Sequence, residues 1–379
     1  MKNVSVTMTL AALLLASAAQ ATDITIKWKV TGAPLGKGYL PKVATDGLQN
    51  VAIIAETGTG LSAFEDELGT YNALSTPPSV NWFGSFSSLY SPPQTTPQIG
   101  HAPSIALALI AGDPSYNNSV EVHQGGQDSG SSLWFQLGSN NADSTAGINW
   151  SVSDFYDTGY NPTVAIDLNS PTPASPIVVE VHQAANSVST LWYHVGKLTL
   201  GASPSMSSSW HTVSEVNLGL NLGKMPTVSI SNNLAVLVAE GNSGALWYSI
   251  GVVDTATNTI NWGDAIPYST TGYNPTVSVS GAGTGFPGSR TLVEAHQANN
   301  STGSLTYRTG VLINGSLGAP PTSITWTPDT DNPYATGCYP SVAVAWWGYD
   351  ASNLNVTETH ETACGAASAQ QYSFGYLVK

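Results

Sequence analysis

A Gly-x-x-Pro motif, followed each time by alternating apolar residues, returns six times along this chain, and no other feature limits its fold as strongly. The copies are Gly38-Tyr39-Leu40-Pro41, Gly100-His101-Ala102-Pro103, Gly159-Tyr160-Asn161-Pro162, Gly223-Lys224-Met225-Pro226, Gly272-Tyr273-Asn274-Pro275 and Gly337-Cys338-Tyr339-Pro340. They lie roughly 60 residues apart, a period in the range of a four-stranded propeller blade. Internal repetition at such a period means stacked copies of one supersecondary unit, each too small to bury its apolar face alone.

Each period holds the same four runs. Strand A follows the proline (Thr163 to Ile166, Thr276 to Val279), which is tolerated as the first residue of a strand. Strand B is Val178-Val179-Glu180-Val181-His182-Gln183 and its copies, and strand C is Leu191-Trp192-Tyr193-His194-Val195-Gly196 and its copies. Strand D ends in Ile-x-Trp, as at Ile148-Asn149-Trp150 and Ile260-Asn261-Trp262. Period-two alternation bounded by Gly, Asn, Ser and Pro clusters is the signal of half-buried strands. The sixth period stops after its C strand, and the missing Ile-x-Trp lies at the other end of the chain, in Ile24-Thr25-Ile26-Lys27-Trp28. The expectation is therefore an all-β fold, a six-bladed β-propeller of four-stranded antiparallel blades starting near residues 38, 100, 159, 223, 272 and 337. Residues 24–28 are expected to join the last blade, closing the ring and removing its open edges.

The first 21 residues read as a secretory signal peptide: Lys2 in a short basic start, an apolar stretch from Leu10 to Leu15, and a small-x-small cleavage site at Ala19-Gln20-Ala21. No later run reaches the ~20 apolar residues of a membrane helix, so residues 22–379 are expected to form one secreted domain, extracellular or periplasmic. Cys338 and Cys364 are the only cysteines. They sit about equally far from the turn between the last A and B strands, where antiparallel partners face each other, and are expected to form a disulfide. Closing that loop is worth about 3 kcal/mol in the loop-entropy picture.

Strand B carries the most conspicuous polar residues. Glutamate occurs there in all six copies (Glu56, Glu121, Glu180, Glu240, Glu294, Glu358), and four follow it two residues later with histidine: His123, His182, His296 and His360. The next position is Gln124, Gln183, Gln297 or Glu361. Residues i and i+2 share a strand face, so each Glu and His point the same way. Two readings follow: an inter-blade hydrogen-bonded clasp, or the polar part of a ligand site. In strand C, Trp134, Trp192 and Trp247 give way to Thr306 and Gln371 in the last two copies, a variation suited to exposed stacking rings, while the neighbouring Phe135, Tyr193, Tyr248, Tyr307 and Tyr372 hardly vary and read as core. The D-strand tryptophans (Trp28, Trp82, Trp150, Trp210, Trp262, Trp326) also read as core. A third variable position is the residue after the motif glycine: Tyr39, His101, Tyr160, Lys224, Tyr273 and Cys338.

Composition narrows the function. Charged residues make up 9% of the chain, with 24 acids against 10 bases and a formal net charge of −14. Without clustered Lys and Arg, nucleic acid and anionic membranes are disfavoured as partners. A surface of Ser, Thr, Asn, Gln and aromatic rings suits neutral ligands such as sugars. There is no Gly-x-Ser-x-Gly elbow, phosphate loop or His-Glu-x-x-His motif. The loop Asp329-Thr330-Asp331-Asn332 is a lone calcium-type signal. No catalytic residue, metal or cofactor is assigned, and oligomeric state is left open.

The phrase Gly-Tyr-Asn-Pro-Thr-Val … Val-Glu-Val-His-Gln … Leu-Trp-Tyr-x-Val-Gly … Ile-x-Trp resembles a repeat of secreted bacterial proteins, and the architecture is similar to six- and seven-bladed propeller lectins such as the fungal fucose-binding type. Those lectins bind sugar between blades through an Arg, a Glu and aromatic residues; here the Glu and the aromatics are present and the Arg is missing. Sialidase-type propellers use an arginine cluster and Ser-x-Asp-x-Gly-x-x-Trp boxes, whereas this chain has only Arg290 and Arg308 and no such box. The resemblance implies a lectin-like protein binding glycans or glycoconjugates at several inter-blade sites built from Glu121, His123, Gln124, Trp134, Glu180, His182, Gln183, Trp192, Trp247, Glu294, His296, Gln297 and His360. The alternatives are a propeller glycoside hydrolase or polysaccharide lyase, or a structural protein-interaction module.

Overall fold

The computed structural model describes residues 24–48, 50–58, 62–72, 79–83, 87–88, 99–110, 113–126, 130–141, 147–168, 175–185, 190–216, 222–241, 243–280, 289–313, 322–326, 331–346, 354–364 and 368–378. The proposed signal peptide lies outside them, as do Asp329 and Thr330. The described chain is all-β apart from one short 3-10 turn, Ser208–His211. No helix among the described residues is long and apolar enough to cross a membrane.

The third repeat shows the common pattern. Ile177–Ala184 pairs antiparallel with the end of Asn149–Ile166 (Glu180 opposite Val164) and with Leu191–Thr199 (Glu180 opposite His194). Leu191–Thr199 in turn pairs with Val213–Val216. The link from one repeat's D strand to the next repeat's A strand is not a loop at three places. Thr25–Thr45, Asn149–Ile166 and Asn332–Trp346 are each continuous, serving as fourth strand of one unit and first strand of the next. The Gly-x-x-Pro motif is where such a strand bends: the pairing register shifts there in every copy, between Tyr39 and Lys42, His101 and Ser104, and at the equivalent points. Strand pairing consequently runs on between units, joining twenty strands in one network, with the fourth unit standing as a separate five-stranded sheet.

The first and last described strands pair with each other. Thr25–Thr45 pairs with Ser368–Val378 from Thr25 opposite Val378 to Gly38 opposite Ser368. Cys338 and Cys364 are bridged, with Cα atoms 5.4 Å apart. Cys338 stands opposite Glu361 rather than Cys364, which lies just beyond the strand end. The register Ser341 opposite Thr359 centres the hairpin one residue earlier than the cysteine midpoint, and the shift at Tyr339 moves the partner by one more.

The apolar core is six clusters, each drawn from two successive units, and one joins the sixth unit to the first. Each contains one D-strand tryptophan. Tyr193, Tyr248, Tyr307, Tyr372 and Phe135 meet Trp262, Trp326, Trp28, Trp82 and Trp210 of the following unit edge to face, with centroids 5.5 to 6.1 Å apart. Such ring pairs contribute about 0.5–1.5 kcal/mol beyond their buried area. Three of the tyrosine hydroxyls also accept the backbone N–H of the isoleucine in Ile-x-Trp: Ile260 to Tyr193 at 3.0 Å, Ile324 to Tyr248 at 3.1 Å and Ile26 to Tyr307 at 3.2 Å. Both aromatic positions are therefore fixed by the junction between units.

Candidate functional site

In four units the strand-B Glu and His form a buried pair. His Nδ1 lies 2.9 to 3.1 Å from a Glu oxygen in Glu121–His123, Glu180–His182, Glu294–His296 and Glu358–His360. All eight residues are almost fully buried. The glutamates are further satisfied by neighbours: Tyr268 Oη donates to Glu294 at 2.9 Å and Gln136 Nε2 to Glu121 at 3.3 Å. Burial, with those carboxylates, pushes the Tyr156, Tyr268 and Tyr334 phenols well above their ordinary range.

The alignment of Glu56 and Glu240 with these glutamates is corrected by the strand register. Glu56 stands opposite Tyr39 and Glu240 opposite Lys224, as Gln124 does opposite His101, Gln183 opposite Tyr160, Gln297 opposite Tyr273 and Glu361 opposite Cys338. The positions matching Glu121 are Ile53 and Leu237, so units one and four lack both the Glu and the His of the pair. Glutamate in these two units serves a different purpose.

That purpose is to fasten units together. The third residue of each Gly-x-x-Pro motif is left-handed, with φ between 47° and 51° at Leu40, Ala102, Asn161, Met225, Asn274 and Tyr339. This turns its N–H toward the preceding unit, where it donates to a side-chain oxygen: Ala102 to Glu56 at 2.7 Å, Asn161 to Gln124 at 2.7 Å, Met225 to Gln183 at 3.1 Å, Tyr339 to Gln297 at 2.9 Å and Leu40 to Glu361 at 2.7 Å. The N–H of Asn274 bonds Glu240 in the same way. Left-handed backbone costs a non-glycine residue about 1–2 kcal/mol, and a charge-assisted or amide bond at each copy offsets it.

These six turns surround a cavity of about 370 Å³ lined by Tyr39, His101, Tyr160 and Tyr339, and by Asn161, Gln183, Lys224, Glu240, Asn274 and Asn300. Beneath it the passage narrows to about 30 Å³ between the left-handed residues and prolines, then reopens to about 90 Å³ among residues of all six A strands. The rings fall in neighbouring units, sixth to third; the amides, Lys224 and Glu240 fall in the third to fifth. Tyr39 stacks near His101 (centroids 6.5 Å, planes 24° apart) and meets Tyr339 edge-on at 5.7 Å. The Tyr160 hydroxyl has no partner among the described residues.

Two carboxyl groups flank Tyr39. Burial, together with Glu56, lifts Glu361 to about 8 against the pull of the Leu40 N–H, and burial raises Glu56 although His101 Nδ1 lies 3.0 Å from its Oε1. In both groups Oε2 is buried without a partner among the described residues. Burial, the Tyr339 hydroxyl and both carboxylates hold the Tyr39 phenol above its usual value. Lys42 stands in the constriction where the other units carry Ser104, Thr163, Thr227, Thr276 and Ser341, and burial lowers its ammonium to about 8.

Of the thirteen residues expected from the sequence to build inter-blade ligand sites, only Gln183 lines this cavity. Glu121, His123, Glu180, His182, Glu294, His296, Gln124, Gln297 and His360 are buried and bonded within the protein. Trp134, Trp192 and Trp247 are half-buried; the first two stand opposite His123 and His182 of the pairs, and Trp247 opposite Ala239 in the unit that has no pair. The cavity instead gathers four of the six residues that follow the motif glycine or proline-preceding turn, the position given least weight in the sequence. Asp331 of the calcium-type loop spends its carboxylate on Arg308 Nε at 2.5 Å and on His296.

No protein-family model matches this chain, and no curated protein does. Solved structures of similar shape include a protein of unknown function from Dyadobacter fermentans (TM-score 0.51, 9% identity, covering 94% of this chain and 98% of that one). They also include the Trypanosoma rangeli sialidase with the inhibitor DANA (TM-score 0.51, 8% identity, 93% of this chain and 59% of that one), and NanB with Optactamide (TM-score 0.50, 7% identity, 91% and 70%). At such identities the likeness is one of fold alone. The class defined is an all-β, β-propeller-like protein with sialidase-type structural neighbours.

Proposed function

We propose that this chain is a secreted carbohydrate-binding β-propeller that takes a glycan at the mouth of its axial cavity. In this reading residues 1–21 are removed on export. Six blades start near 38, 100, 159, 223, 272 and 337, and residues 24–28 close the ring on the last blade. The pairing of Thr25–Thr45 with Ser368–Val378 and the apolar cluster between the sixth and first units support it. The observation that carries the ligand class is the division of the cavity wall into an aromatic sector (Tyr339, Tyr39, His101, Tyr160) and a hydrogen-bonding sector (Asn161, Gln183, Lys224, Glu240, Asn274). Rings stack on the apolar face of a sugar while amides and charges fix its hydroxyls. Neither arginine lines the cavity, which favours neutral sugars over acidic ones. Trp134, Trp192 and Trp247 offer further stacking faces between blades, and weak sites would add by avidity.

A glycan-array screen of residues 22–379 tests the reading. Binding to a defined neutral sugar class, competed by the free sugar and lost in Tyr160→Ala with folding intact, is expected. A folded protein that binds no glycan overturns it.

A second reading, glycan hydrolysis, is favoured by one arrangement: the Glu361 and Glu56 carboxyl groups flank Tyr39 at the cavity wall, and burial pushes both upward, Glu361 to about 8. Two carboxyl groups on opposite sides of a glycosidic bond are the minimum for that chemistry. Turnover of a bound glycan that disappears in Glu361→Gln, while binding persists, would favour it over simple recognition.

A further inference from the structure

The third unit holds a polar cluster that neither the inter-unit clasps nor the axial cavity uses. His182 projects from strand B and His194 from strand C of the same sheet. Glu180 stands directly opposite His194, so His182 is its diagonal neighbour on the same face. Asp157 arrives from the preceding unit, midway along the continuous strand Asn149–Ile166, opposite Leu133. Its Oδ2 lies 3.0 Å from His194 Nε2 and 3.6 Å from His182 Nε2, and the three ligand atoms lie within 4.8 Å of one another.

The far sides of both imidazoles are already committed. His194 Nδ1 is 2.7 Å from the backbone oxygen of Trp210, an atom that can only accept, so Nδ1 carries the proton. His182 Nδ1 lies 3.2 and 3.0 Å from the two oxygens of Glu180. Each ring therefore turns Nε2 toward the Asp157 carboxylate. His182 Nε2 is buried and has no hydrogen-bond partner among the described residues, and the two side chains are 1% and 0% exposed. Two imidazole nitrogens and a carboxylate converging on one buried point call for a cation between them.

The fifth unit shows what the fold does when that cation is built in. There His296 Nε2 faces Asp331 Oδ2 at the same 3.6 Å, but the residue matching His194 is Arg308. Its Nε binds Asp331 at 2.5 Å and its Nη1 the Tyr268 carbonyl at 2.6 Å. Elsewhere the matching residues are Glu67, Gln136, Ser249 and Ser373. Only the third unit sets a second imidazole there, leaving the cluster without a fixed positive charge from Lys or Arg.

We propose that Asp157, His182 and His194 bind a divalent transition metal of the zinc class, joining the second unit to the third. Ligand atoms around a tetrahedral zinc stand roughly 3.4 Å apart, from bond lengths of about 2.1 Å, and the observed 3.0 and 3.6 Å bracket that value. Nδ1–H donation to a carboxylate and to a backbone carbonyl is the arrangement that orients metal-binding imidazoles and raises their basicity. Two nitrogens and one carboxylate leave a fourth position for water. The Asp157 side chain, 21% exposed, provides the route in. The signal was present in the sequence as a histidine in strand C of one copy alone, but the third ligand comes from another repeat and only the fold brings it there.

The test is a titration of the tag-free, chelator-treated chain with Zn²⁺ by calorimetry and with Co²⁺ by visible absorption. One metal per chain is expected, with a dissociation constant below about 1 μM, d–d bands of four- or five-coordinate Co²⁺, and a rise in melting temperature on loading. His194→Gln and Asp157→Asn should abolish the bands. Glu180→Gln should weaken binding by about 10- to 100-fold. His296→Gln should leave it unchanged. If His194→Gln does not fold, the half-exposed Asp157→Asn carries the test. A folded wild-type chain that binds neither ion saturably, or binding that survives both ligand substitutions, overturns the proposal. The cluster would then be a protonated His194–Asp157 ion pair.

Discussion

At the scale of residues, the motif that organises the sequence is doing two separate jobs. Its glycine is not there for a positive φ. A Cβ on Gly100 would sit 2.6 Å from both the Gln124 carbonyl oxygen and His123 Cδ2, so the side chain is excluded by the neighbouring strand. Gly100→Ala should therefore destabilise the protein by about 1–3 kcal/mol, as overpacking does, read from denaturant midpoints. The left-handed residue stands two places later and is not glycine in any copy. Asn161 and Asn274 tolerate that backbone more readily than Leu40, Ala102, Met225 and Tyr339 do. Ala102→Gly should relieve the strain at some expense in unfolded-state entropy and stabilise by about 0.5–1 kcal/mol; Asn161→Gly should do much less. The sequence made the turn legible through Gly and Pro. It could not reveal which of the four residues bears the strain, because the reason for it is an acceptor contributed by another repeat.

At the scale of elements, strand positions and core aromatics were legible because alternation and repetition both report on burial. The clasp pairs were legible as one strand face, since Glu and His two apart must project together. What misled was matching copies by residue type: Glu56 and Glu240 look like Glu121 but occupy the place of Gln124. The units thus contain their own comparison. Gln serves at this position in three of them, so Glu56→Gln should keep the bond to the Ala102 N–H and leave stability nearly unchanged. Glu56→Ala should cost about 1–3 kcal/mol by stranding a buried donor. Equal losses in both variants would mean that the contact to His101, not the bond to Ala102, is what matters there. The strand-C tryptophans make a contrasting case. Trp192 is half-buried, with an indole N–H that finds no partner among the described residues. Trp192→Ala should lower glycan avidity while changing stability by no more than about 0.5 kcal/mol. A large drop in melting temperature would instead identify it as a packing residue.

At the scale of the whole molecule, the repeat and the four-strand pattern made the all-β architecture readable, whereas the cavity among the motif turns was not. Its walls come from single residues roughly 60 positions apart, brought together only when successive units pack on one another. The same convergence concentrates buried ionisable groups, and their shifts set how stability depends on pH. Burial, with Glu56, raises Glu361 from 4.5 to about 8; burial raises Asp66 from 3.8 to about 7 and, with Asp66 beside it, Glu67 from 4.5 to about 7. At His296 burial opposes the charge, but Glu294 and Asp331 outweigh it and lift the group from 6.5 to about 9. In all four the native state holds its proton more tightly than the unfolded chain. Their contribution is complete below the unfolded pKa and is lost as pH rises through the native one. Asp331, lowered from 3.8 to about 2 by His296 and Arg308 against the effect of burial, acts oppositely: its contribution holds above 3.8 and is lost as pH falls to about 2. Lys42, lowered by burial from 10.5 to about 8, adds stability only as pH climbs from about 8 toward 10.5. The melting temperature should therefore peak near pH 4 to 5 and decline from about pH 5 to 9, a fall that Glu361→Gln should make shallower up to about pH 8 by removing one of its sources. A melting temperature that rises over that interval would mean that water or a bound cation relieves these carboxyl groups of their burial.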